Sequence, residues 1–294
     1  MSSSNHNVSV TVVIPAFNEE LVIGETVAKI RKMHPGFEII VVDDGSSDRT
    51  AEAAEQAGAF VVRHPYNIGN GAAVKTGIRS ASGELIVVMD GDGQHDPEDI
   101  SRLLEEADKY DLVVGARSGE SQASLGRRFA NWCYNRLASY VAKFRIQDLT
   151  SGFRVFHKNT VMQFLPLFPN SFSYPTTSTL SYIRSGHTIK YVSIKTHKRT
   201  GKSKINIIRD GTKFIIIILR IATLFSPLRI FLPISAFFLL TGISYYVYTF
   251  QAWHSFTNMS ALLLSMGVMV FLLGMVSEQI TQLYYNKMEM INKK

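Results

Sequence analysis

Hydrophobic and polar positions in the first 117 residues form short apolar runs separated by longer stretches with helical spacing. Short runs rich in Val and Ile are typical of strands that are buried on both faces of a parallel sheet. We predict five such strands, over Val8–Ile14, Glu38–Val42, Ala59–Arg63, Leu85–Met89 and Leu112–Val114. The segments between them predict helices over Glu19–Met33, Thr50–Ala57, Gly71–Ser80 and Pro97–Ala107. This alternation predicts an α/β fold with a doubly wound, mostly parallel sheet.

The C-terminal part of the chain has a different pattern. Ile230–Phe250 and Met259–Ser277 carry no formal charge, and about 20 apolar residues of helix are enough to cross a bilayer. We therefore predict a transmembrane hairpin with spans at about 230–250 and 259–280. Two buried helices of a soluble protein are the alternative, but nothing else in the chain could enclose them.

Charges around the predicted hairpin indicate its orientation. Arg220 and Arg229 flank the first span, Lys287 follows the second, and the loop between the spans has no Lys or Arg. The positive-inside rule therefore predicts that both ends of the hairpin are cytoplasmic. Lys204–Ser226 mixes charged and apolar residues, which indicates an amphipathic helix in the membrane interface or against partner subunits.

These patterns divide the chain into three parts. We expect a cytoplasmic α/β domain over 1–203, a juxtamembrane amphipathic helix over 204–227, and the hairpin with a short cytoplasmic tail over 228–294. This arrangement predicts a protein with two membrane spans whose main domain and both termini are cytoplasmic.

Composition and charge narrow the possible functions. The chain has 294 residues, of which 46% are hydrophobic and 19% charged, so it is too apolar for a disordered protein. A single cysteine excludes an intramolecular disulfide framework and a Cys-based zinc site. The net charge is −9 over 1–110, +12 over 111–211 and +4 over 212–294. The acidic first part and the apolar tail argue against a nucleic-acid-binding protein and favour a membrane and phosphate-bearing substrates.

Carboxylates follow the predicted strands. Asp43 and Asp44 follow the second strand, and Asp90 and Asp92 follow the fourth. Because parallel strands end at one edge of a sheet, we expect these side chains to meet there. Clustered carboxylates repel one another unless a cation lies among them. Helix capping is the alternative and is preferred for Asp48, whereas Asp90-Gly91-Asp92 favours a divalent cation and the phosphates that it carries.

Two common nucleotide-binding motifs are absent from the sequence. There is no GxxxxGK[ST] loop and no GxGxxG after the first predicted strand. The sheet therefore binds a nucleotide in another way, or binds none.

Four segments, in order VVIPAFNEE, VVDDGSSDRT, NIGNGAAVKTG and VVMDGDGQHDPED, resemble the family 2 glycosyltransferases of the GT-A fold. LTSGFRVF (Leu149–Phe156), GKSK (Gly201–Lys204) and the hairpin narrow the resemblance to the polyprenyl-phosphate glycosyltransferases. This group contains dolichol-phosphate mannose synthases and bacterial undecaprenyl-phosphate sugar transferases. The resemblance covers about residues 8–285 and implies a GT-A catalytic domain.

The resemblance also implies roles for individual residues. The nucleoside would be held by Pro15, Phe17, Glu19, Val42 and Asp44. The metal, Mg²⁺ or Mn²⁺, would be held by Asp90, Asp92 and Gln94, and the catalytic set would be Asp92, Asp90 and Arg117. The donor phosphates would contact Asp90, Gly91, Arg117, Lys204 and one or both of Lys198 and Arg199. The sequence leaves open which of Lys198 and Arg199 makes this contact, and attraction to anionic lipid is an alternative role for the Lys198–Lys204 segment.

The basic middle of the chain contains candidates for binding an acceptor phosphate. These are Arg127, Arg128, Ser151 and Arg154, the last two from the motif that resembles the family. Arginine forks suit phosphate oxygens, but a solvated or membrane-facing surface would also explain Arg127 and Arg128.

Together with these features, the resemblance implies an inverting, metal-dependent transferase that moves a sugar from a nucleotide sugar to polyprenyl phosphate. A UDP-sugar is favoured, GDP-mannose is possible, and an α-linked donor would give a β-linked product. A processive polysaccharide synthase is an alternative, but the chain lacks its Q-x-x-R-W motif and has too few spans. A catalytically silent, nucleotide-sugar-binding membrane subunit is another. Because two spans bury little surface, we expect a homo-oligomer, and the resemblance favours a tetramer.

Overall fold

The computed structural model describes residues 8–117, 142–171, 174–196 and 226–292, together with positions 132, 135, 136, 138–140 and 223. Most of the predicted amphipathic helix over 204–227 lies outside the described residues. So do five candidate phosphate-binding residues, namely Arg127, Arg128, Lys198, Arg199 and Lys204. The chain divides into two compact units, one formed by Met1–Ser139 with Phe144–Asn206 and one by Tyr140–Lys143 with Ile207–Lys294.

The first unit is built on a seven-stranded mixed sheet. Its strands are β1 (Val10–Ala16), β2 (Glu38–Asp43), β3 (Phe60–Arg63), β4 (Leu85–Val88), β5 (Leu112–Arg117), β6 (Arg154–His157) and β7 (Ile189–Ile194). The strand order is β3-β2-β1-β4-β6-β5-β7. β6 runs antiparallel to β4 and β5, whereas all other neighbouring strands are parallel.

Six described α-helices belong to this unit. They are α1 (Ile23–Met33), α2 (Thr50–Gln56), α3 (Asn70–Ser80), α4 (Asp99–Leu104), α5 (Lys158–Phe164) and α6 (Tyr174–Arg184). A 3₁₀ turn over Leu165–Leu167 follows α5. The predicted α/β fold is confirmed, and the five predicted strands and four predicted helices are present with ends that differ by a few residues.

Burial explains why the five apolar runs form strands. Val12, Ile14, Val41 and Val87 are fully buried, because helices cover the sheet and exclude water from the central strands. The helices that follow these strands bury one stripe each; α1, for example, buries Ile23, Thr26, Val27 and Ile30. The parallel strands therefore end at one edge, where the loops can carry polar side chains.

β6 and β7 extend the sheet beyond the strands that the sequence predicts. β6 lies between β4 and β5, so that Val155 pairs with both Val87 and Val113. Because β6 is antiparallel, the residues that precede it lie beside the end of β4. This insertion brings the segment over 148–153 to the same edge of the sheet as Asp90.

The second unit contains two long apolar helices, α7 (Leu228–Trp253) and α8 (Asn258–Asn292). Their most apolar windows have mean hydropathies of 1.8 and 2.3, so both are long and apolar enough to cross a membrane. They pack closely at small residues: Gly267 lies against Leu239, and Gly274 lies against Phe231. The Ser235 hydroxyl donates a hydrogen bond of 2.7 Å to the Gly267 carbonyl. The two helices thus form a tightly packed pair with most large apolar side chains directed outward.

Candidate active site

A cavity of about 380 Å³ opens at the edge of the sheet where β1, β2 and β4 end. Seven of the predicted site residues line it, namely Pro15, Phe17, Glu19, Asp44, Asp90, Gly91 and Asp92. Nine further residues complete the lining: Ala16, Asn67, Gly69, Asn70, Ala73, Thr150, Gly152, Tyr174 and Pro175. The cavity therefore combines an aromatic ring, several carboxylates and exposed backbone in one place.

The loop that follows β1 forms one wall of the cavity. Phe17 is 44% exposed, although it lies directly after a buried strand. Asn18 has a φ of 56°, and its backbone N–H donates to the Ser46 hydroxyl at 2.9 Å. The Glu19 N–H donates to the Thr50 hydroxyl at 2.8 Å. These bonds tie the loop after β1 to the loop after β2 and hold an open aromatic face suited to stacking on a flat ring.

Asp44 lies deep in the same wall. Its side chain is only 3% exposed, and the carboxylate accepts hydrogen bonds from His64, Ile68 and Gly69. Val42, a predicted nucleoside contact, is fully buried in β2 and does not line the cavity. Its side chain therefore supports the sheet rather than facing the cavity.

Asp90 and Asp92 follow β4 and are separated in sequence by Gly91. The Asp90 side chain is 31% exposed and lies 3.5 Å from His95 Nε2. Burial opposes its ionisation, but hydrogen bonds from His95 and Asn70 and the charge of Arg117 outweigh that effect and lower the pKa of Asp90. Asp90 is therefore ionised at neutral pH. Asp92 Oδ1 accepts the backbone N–H of Gln94 at 3.2 Å.

The neighbourhood of Asp90 suits a hard cation. Gly152 lies so close that a Cβ there would be 2.5 Å from Asp90 Oδ2, so the missing side chain leaves the carboxylate room. Carboxylate oxygens are the ligands that Mg²⁺ and Mn²⁺ prefer. Within the described ranges, no group of three or more His, Cys, Asp or Glu side chains is placed to hold a metal. A cation bound at Asp90 and Asp92 would therefore need further ligands, such as phosphate oxygens.

Arg117 lies at the end of β5 and forms a salt bridge with Asp148, a residue for which the sequence predicted no role. Asp148 accepts Nε of Arg117 at 2.8 Å and Nη2 at 3.0 Å, and Nη2 also bonds the Thr150 hydroxyl. Burial disfavours the charged guanidinium, but the bonds and charge of Asp148 raise the pKa of Arg117 overall. Arg117 is thus a fixed cation whose charge reaches Asp90.

Ser151 and Arg154, predicted contacts of an acceptor phosphate, are closed to a ligand in this conformation. Ser151 is 1% exposed and Arg154 is fully buried. The guanidinium donates to Ser151 O at 2.7 Å and to the hydroxyls of Ser178 and Thr179 at 3.1 and 2.8 Å. With a fourth bond from Nη2 to the Leu149 carbonyl at 3.4 Å, four of its five N–H groups are bonded within the fold, and the side chain joins β6 to α6.

Several residues of the cavity were missed by the sequence analysis. The Asn70 side chain bonds Asp90, while its Oδ1 atom is buried and has no partner among the described residues. The Tyr174 hydroxyl donates to the Gly152 carbonyl at 3.1 Å, which fixes the backbone beside Asp90. Burial raises the pKa of Tyr174 well above its ordinary value, so this hydroxyl keeps its proton. The glycine-rich NIGNG segment could have pointed to Asn70, but no local pattern points to Tyr174.

Two protein families match this chain. The family described as "Glycosyl transferase family 2" matches residues 11–164, and the "GtrB C-terminal hairpin" matches residues 226–283. The first match covers just over half of the chain, including the whole cavity wall formed by β1, β2 and β4.

Individual relatives match the first unit. An uncharacterized protein of Methanocaldococcus jannaschii is 37% identical over 155 residues, which is 49% of this chain and 63% of that protein. The dodecaprenyl-phosphate galacturonate synthase of Rhizobium johnstonii is 32% identical, covering 53% of this chain and 50% of the synthase. The undecaprenyl-phosphate 4-deoxy-4-formamido-L-arabinose transferase of Pseudomonas fluorescens is 32% identical, covering 57% and 55%. The chain thus spans about half to two thirds of the length of the curated relatives that it matches.

Solved structures share the fold. The glucosyl-3-phosphoglycerate synthase of Mycobacterium tuberculosis, crystallised with Mn²⁺ and uridine diphosphate, superposes with a TM-score of 0.61 at 21% identity. The match covers 73% of this chain and 80% of the synthase. At this identity the similarity establishes the architecture, and it confirms the predicted fold class.

Proposed function

The chain belongs to glycosyl transferase family 2, and from this premise we propose that it transfers a sugar from a nucleotide sugar to polyprenyl phosphate. The observation that carries the proposal is a cavity edged by Asp44, Asp90 and Asp92 in a chain that also has two membrane-length helices. A hydrophilic donor needs the cavity, and a polyprenyl acceptor needs a protein that resides at a membrane.

Two relatives support the choice of acceptor. The names of the Rhizobium synthase and the Pseudomonas transferase both specify a polyprenyl phosphate. The matching hairpin family over residues 226–283 supports a membrane-associated protein. The basic flanks of α7 and α8 favour a hairpin whose two ends, and whose catalytic unit, are cytoplasmic.

The donor is proposed to bind across the cavity. Phe17 offers a face for the base, and Asp44 offers a carboxylate oxygen for a base or ribose donor group. The diphosphate would lie near Asp90, with Arg117 supplying a fixed positive charge. Lys198, Arg199 and Lys204, outside the described residues, are further candidates for these phosphates. A UDP-sugar is the favoured donor, and the Mycobacterium enzyme of the same fold binds UDP.

A divalent cation fits the proposed diphosphate position. Asp90, Asp92 and Gln94 would hold Mg²⁺ or Mn²⁺ through oxygen atoms, and the diphosphate would complete the ligand set. When bound, the cation would neutralise the charge that develops on the leaving diphosphate. The ionised state of Asp90 and the open space at Gly152 support this assignment.

The reaction needs little acid–base chemistry. A phosphate oxygen of the acceptor would attack the anomeric carbon, forming a carbon–oxygen bond. The bond from that carbon to the donor diphosphate breaks, and the nucleoside diphosphate leaves with the electron pair. Because a phosphate monoester has a second pKa near ~6, its oxygen is mostly ionised at pH 7 and needs no strong general base. In-line attack inverts the anomeric centre, so that an α-linked donor gives a β-linked product.

The acceptor phosphate needs positive groups. Arg127 and Arg128 are the candidates for this contact, since Ser151 and Arg154 are closed to a ligand in the described conformation. We also infer a homo-oligomer, because two helices bury little of their surface within one chain, and the family resemblance favours a tetramer. The mass of the full chain in detergent, measured by light scattering, tests this inference.

A transfer assay tests the proposed reaction. The purified full chain in lipid nanodiscs is incubated with Mg²⁺ or Mn²⁺, a short polyprenyl phosphate and a panel of UDP- and GDP-sugars. We expect one donor to give a metal-dependent lipid-linked sugar, detected by its mass, and Asp92→Asn to lose transfer while still binding nucleotide. Binding of UDP without transfer from any donor would instead favour a catalytically silent subunit. Products that carry many sugars would favour a processive synthase.

A further inference from the structure

The carboxylate of Asp44 has nearly all of its hydrogen-bonding capacity occupied within the protein. Oδ1 accepts two bonds, from His64 Nδ1 at 2.7 Å and from the Ile68 N–H at 3.0 Å. Oδ2 accepts one bond, from the Gly69 N–H at 2.8 Å. A carboxylate has about four lone-pair positions, two on each oxygen. One acceptor position, on Oδ2, therefore remains for a ligand in the cavity that Asp44 lines.

His64 stabilises this arrangement of the Asp44 carboxylate. Its ring lies between Asp44 and Thr76, with Nε2 at 2.9 Å from the Thr76 hydroxyl. In the neutral ring, Nδ1–H donates to the carboxylate and Nε2 accepts the hydroxyl proton, an assignment that satisfies all three groups. The His64 side chain is 9% exposed, and its backbone N–H donates to the Asp43 carbonyl at 2.8 Å. The imidazole is thus fixed by both its ring nitrogens and its backbone.

We propose that His64 is a positioning residue that, through Asp44, selects uracil over guanine in the nucleotide donor. The inference rests on the proposed function, since it concerns the nucleotide that the same cavity binds. His64 occupies Oδ1 and thereby restricts Asp44 to a single acceptor position on Oδ2. No contact between His64 and the donor is required.

The two bases differ in the donors that they present. Uracil has one ring N–H, which lies between two carbonyl groups, and one acceptor position on Oδ2 is enough to receive it. Guanine presents a ring N–H and an adjacent amino group, which pair best with both oxygens of a carboxylate at once. Because Oδ1 is filled by His64 and Ile68, the second guanine donor would be left without a partner in the cavity. Leaving a buried polar group unpaired is costly, so guanine is disfavoured.

Nucleotide binding to the full chain tests the proposal directly. Calorimetry with UDP and GDP, each with Mg²⁺, should give a UDP affinity at least about tenfold higher than the GDP affinity, the effect of losing one hydrogen bond in the cavity. In His64→Ala, Asp44 loses the bond that orients its carboxylate, so the UDP affinity should fall by about tenfold. The GDP affinity should be kept or rise, because an acceptor position opens on Oδ1, so the ratio of the two affinities collapses. In transfer assays, this variant should raise the donor KM more than it lowers kcat.

Two variants distinguish positioning from a purely structural role. His64→Asn places an amide N–H near the position of Nδ1 and should keep most of the preference for UDP. His187→Ala removes another histidine beside an aspartate, 3.5 Å from Asp111 at the opposite edge of the sheet, and should leave the UDP-to-GDP ratio unchanged. If His64→Ala lowers both affinities equally together with the melting temperature, the positioning role is wrong.

The outcomes also separate this inference from the proposed function. Equal affinity of the wild-type chain for UDP and GDP would overturn base selection even if a lipid-linked sugar is formed. A clear preference for UDP that His64→Ala removes, in a chain that forms no lipid-linked sugar, would support the inference and overturn the proposed reaction.

Discussion

Replacement of Gly152 by alanine gives a direct test of how closely the cavity is built around Asp90. A Cβ at position 152 would lie 2.5 Å from Oδ2 and 2.7 Å from Oδ1 of Asp90. Ordinary contacts of a Cβ begin at about 3.4 Å, so the carboxylate has to withdraw by about 0.9 Å. Misplacement of a reacting group by about 1 Å can reduce a rate by about 100-fold. We expect Gly152→Ala to lower kcat/KM by about 100-fold, or about 2.7 kcal/mol in transition-state free energy.

The assay for this variant is sugar transfer at several Mg²⁺ concentrations, together with a thermal melt. The loss of activity should be partly relieved at high Mg²⁺, because the displaced carboxylate is proposed to hold the cation. Gly36→Ala is the matched control, since a Cβ there meets nothing within 4 Å and activity should not change. Activity of Gly152→Ala within threefold of wild type, in a variant that melts like the wild type, would refute the proposed role of Asp90 in holding the cation.

Three further predictions concern the supports of the two units. Asp148→Asn should destabilise the fold by about 2–3 kcal/mol at pH 7, because it removes the charged partner of a largely buried Arg117. Burial opposes ionisation of Asp148, but the hydrogen bonds and the charge of Arg117 hold the pKa of Asp148 below its ordinary value. The stability from this carboxylate is therefore complete above about pH 5 and is lost as the pH falls through the lowered pKa, so denaturant melts of Asp148→Asn should depend less on pH in that range. Arg154→Lys should lower the unfolding free energy by about 2–4 kcal/mol, because one ammonium group cannot make all the hydrogen bonds of the buried guanidinium. An unchanged melting temperature with a raised acceptor KM would instead support a contact between Arg154 and the acceptor phosphate. The Cβ of Gly267→Ala would lie 2.6 Å from Leu239 Cγ. This overpacking should destabilise the helix pair by about 1–3 kcal/mol, measured as a lower melting temperature in detergent.

The parts of the site that the sequence predicted follow from a general property of parallel sheets. Asp44 and Asp90 each follow an apolar run, and strands that run in parallel end at one edge, so their side chains meet there. Phe17 and Asp92 also follow parallel strands, and for the same reason they line the cavity. The hairpin was equally predictable, because a long apolar stretch indicates a membrane span by its length and composition alone.

The parts that were missed depend on contacts between distant segments. β6 has only four residues, and its place between β4 and β5 is fixed by pairing of Val155 with strands on both sides. Arg154 sits in a motif that suggested a ligand contact, yet Ser178 and Thr179, from a helix more than 20 residues away, enclose it. The local sequence therefore does not show which partners a buried arginine contacts.

Transfer to a lipid phosphate is tested most directly by the release of nucleoside diphosphate, measured with and without a polyprenyl phosphate. We expect the full chain to release UDP from its donor only when the lipid phosphate is present, with one lipid-linked sugar formed for each UDP. A polyprenol without phosphate should not support release. Equal release in the absence of lipid, or with the unphosphorylated alcohol, would contradict transfer to a lipid phosphate.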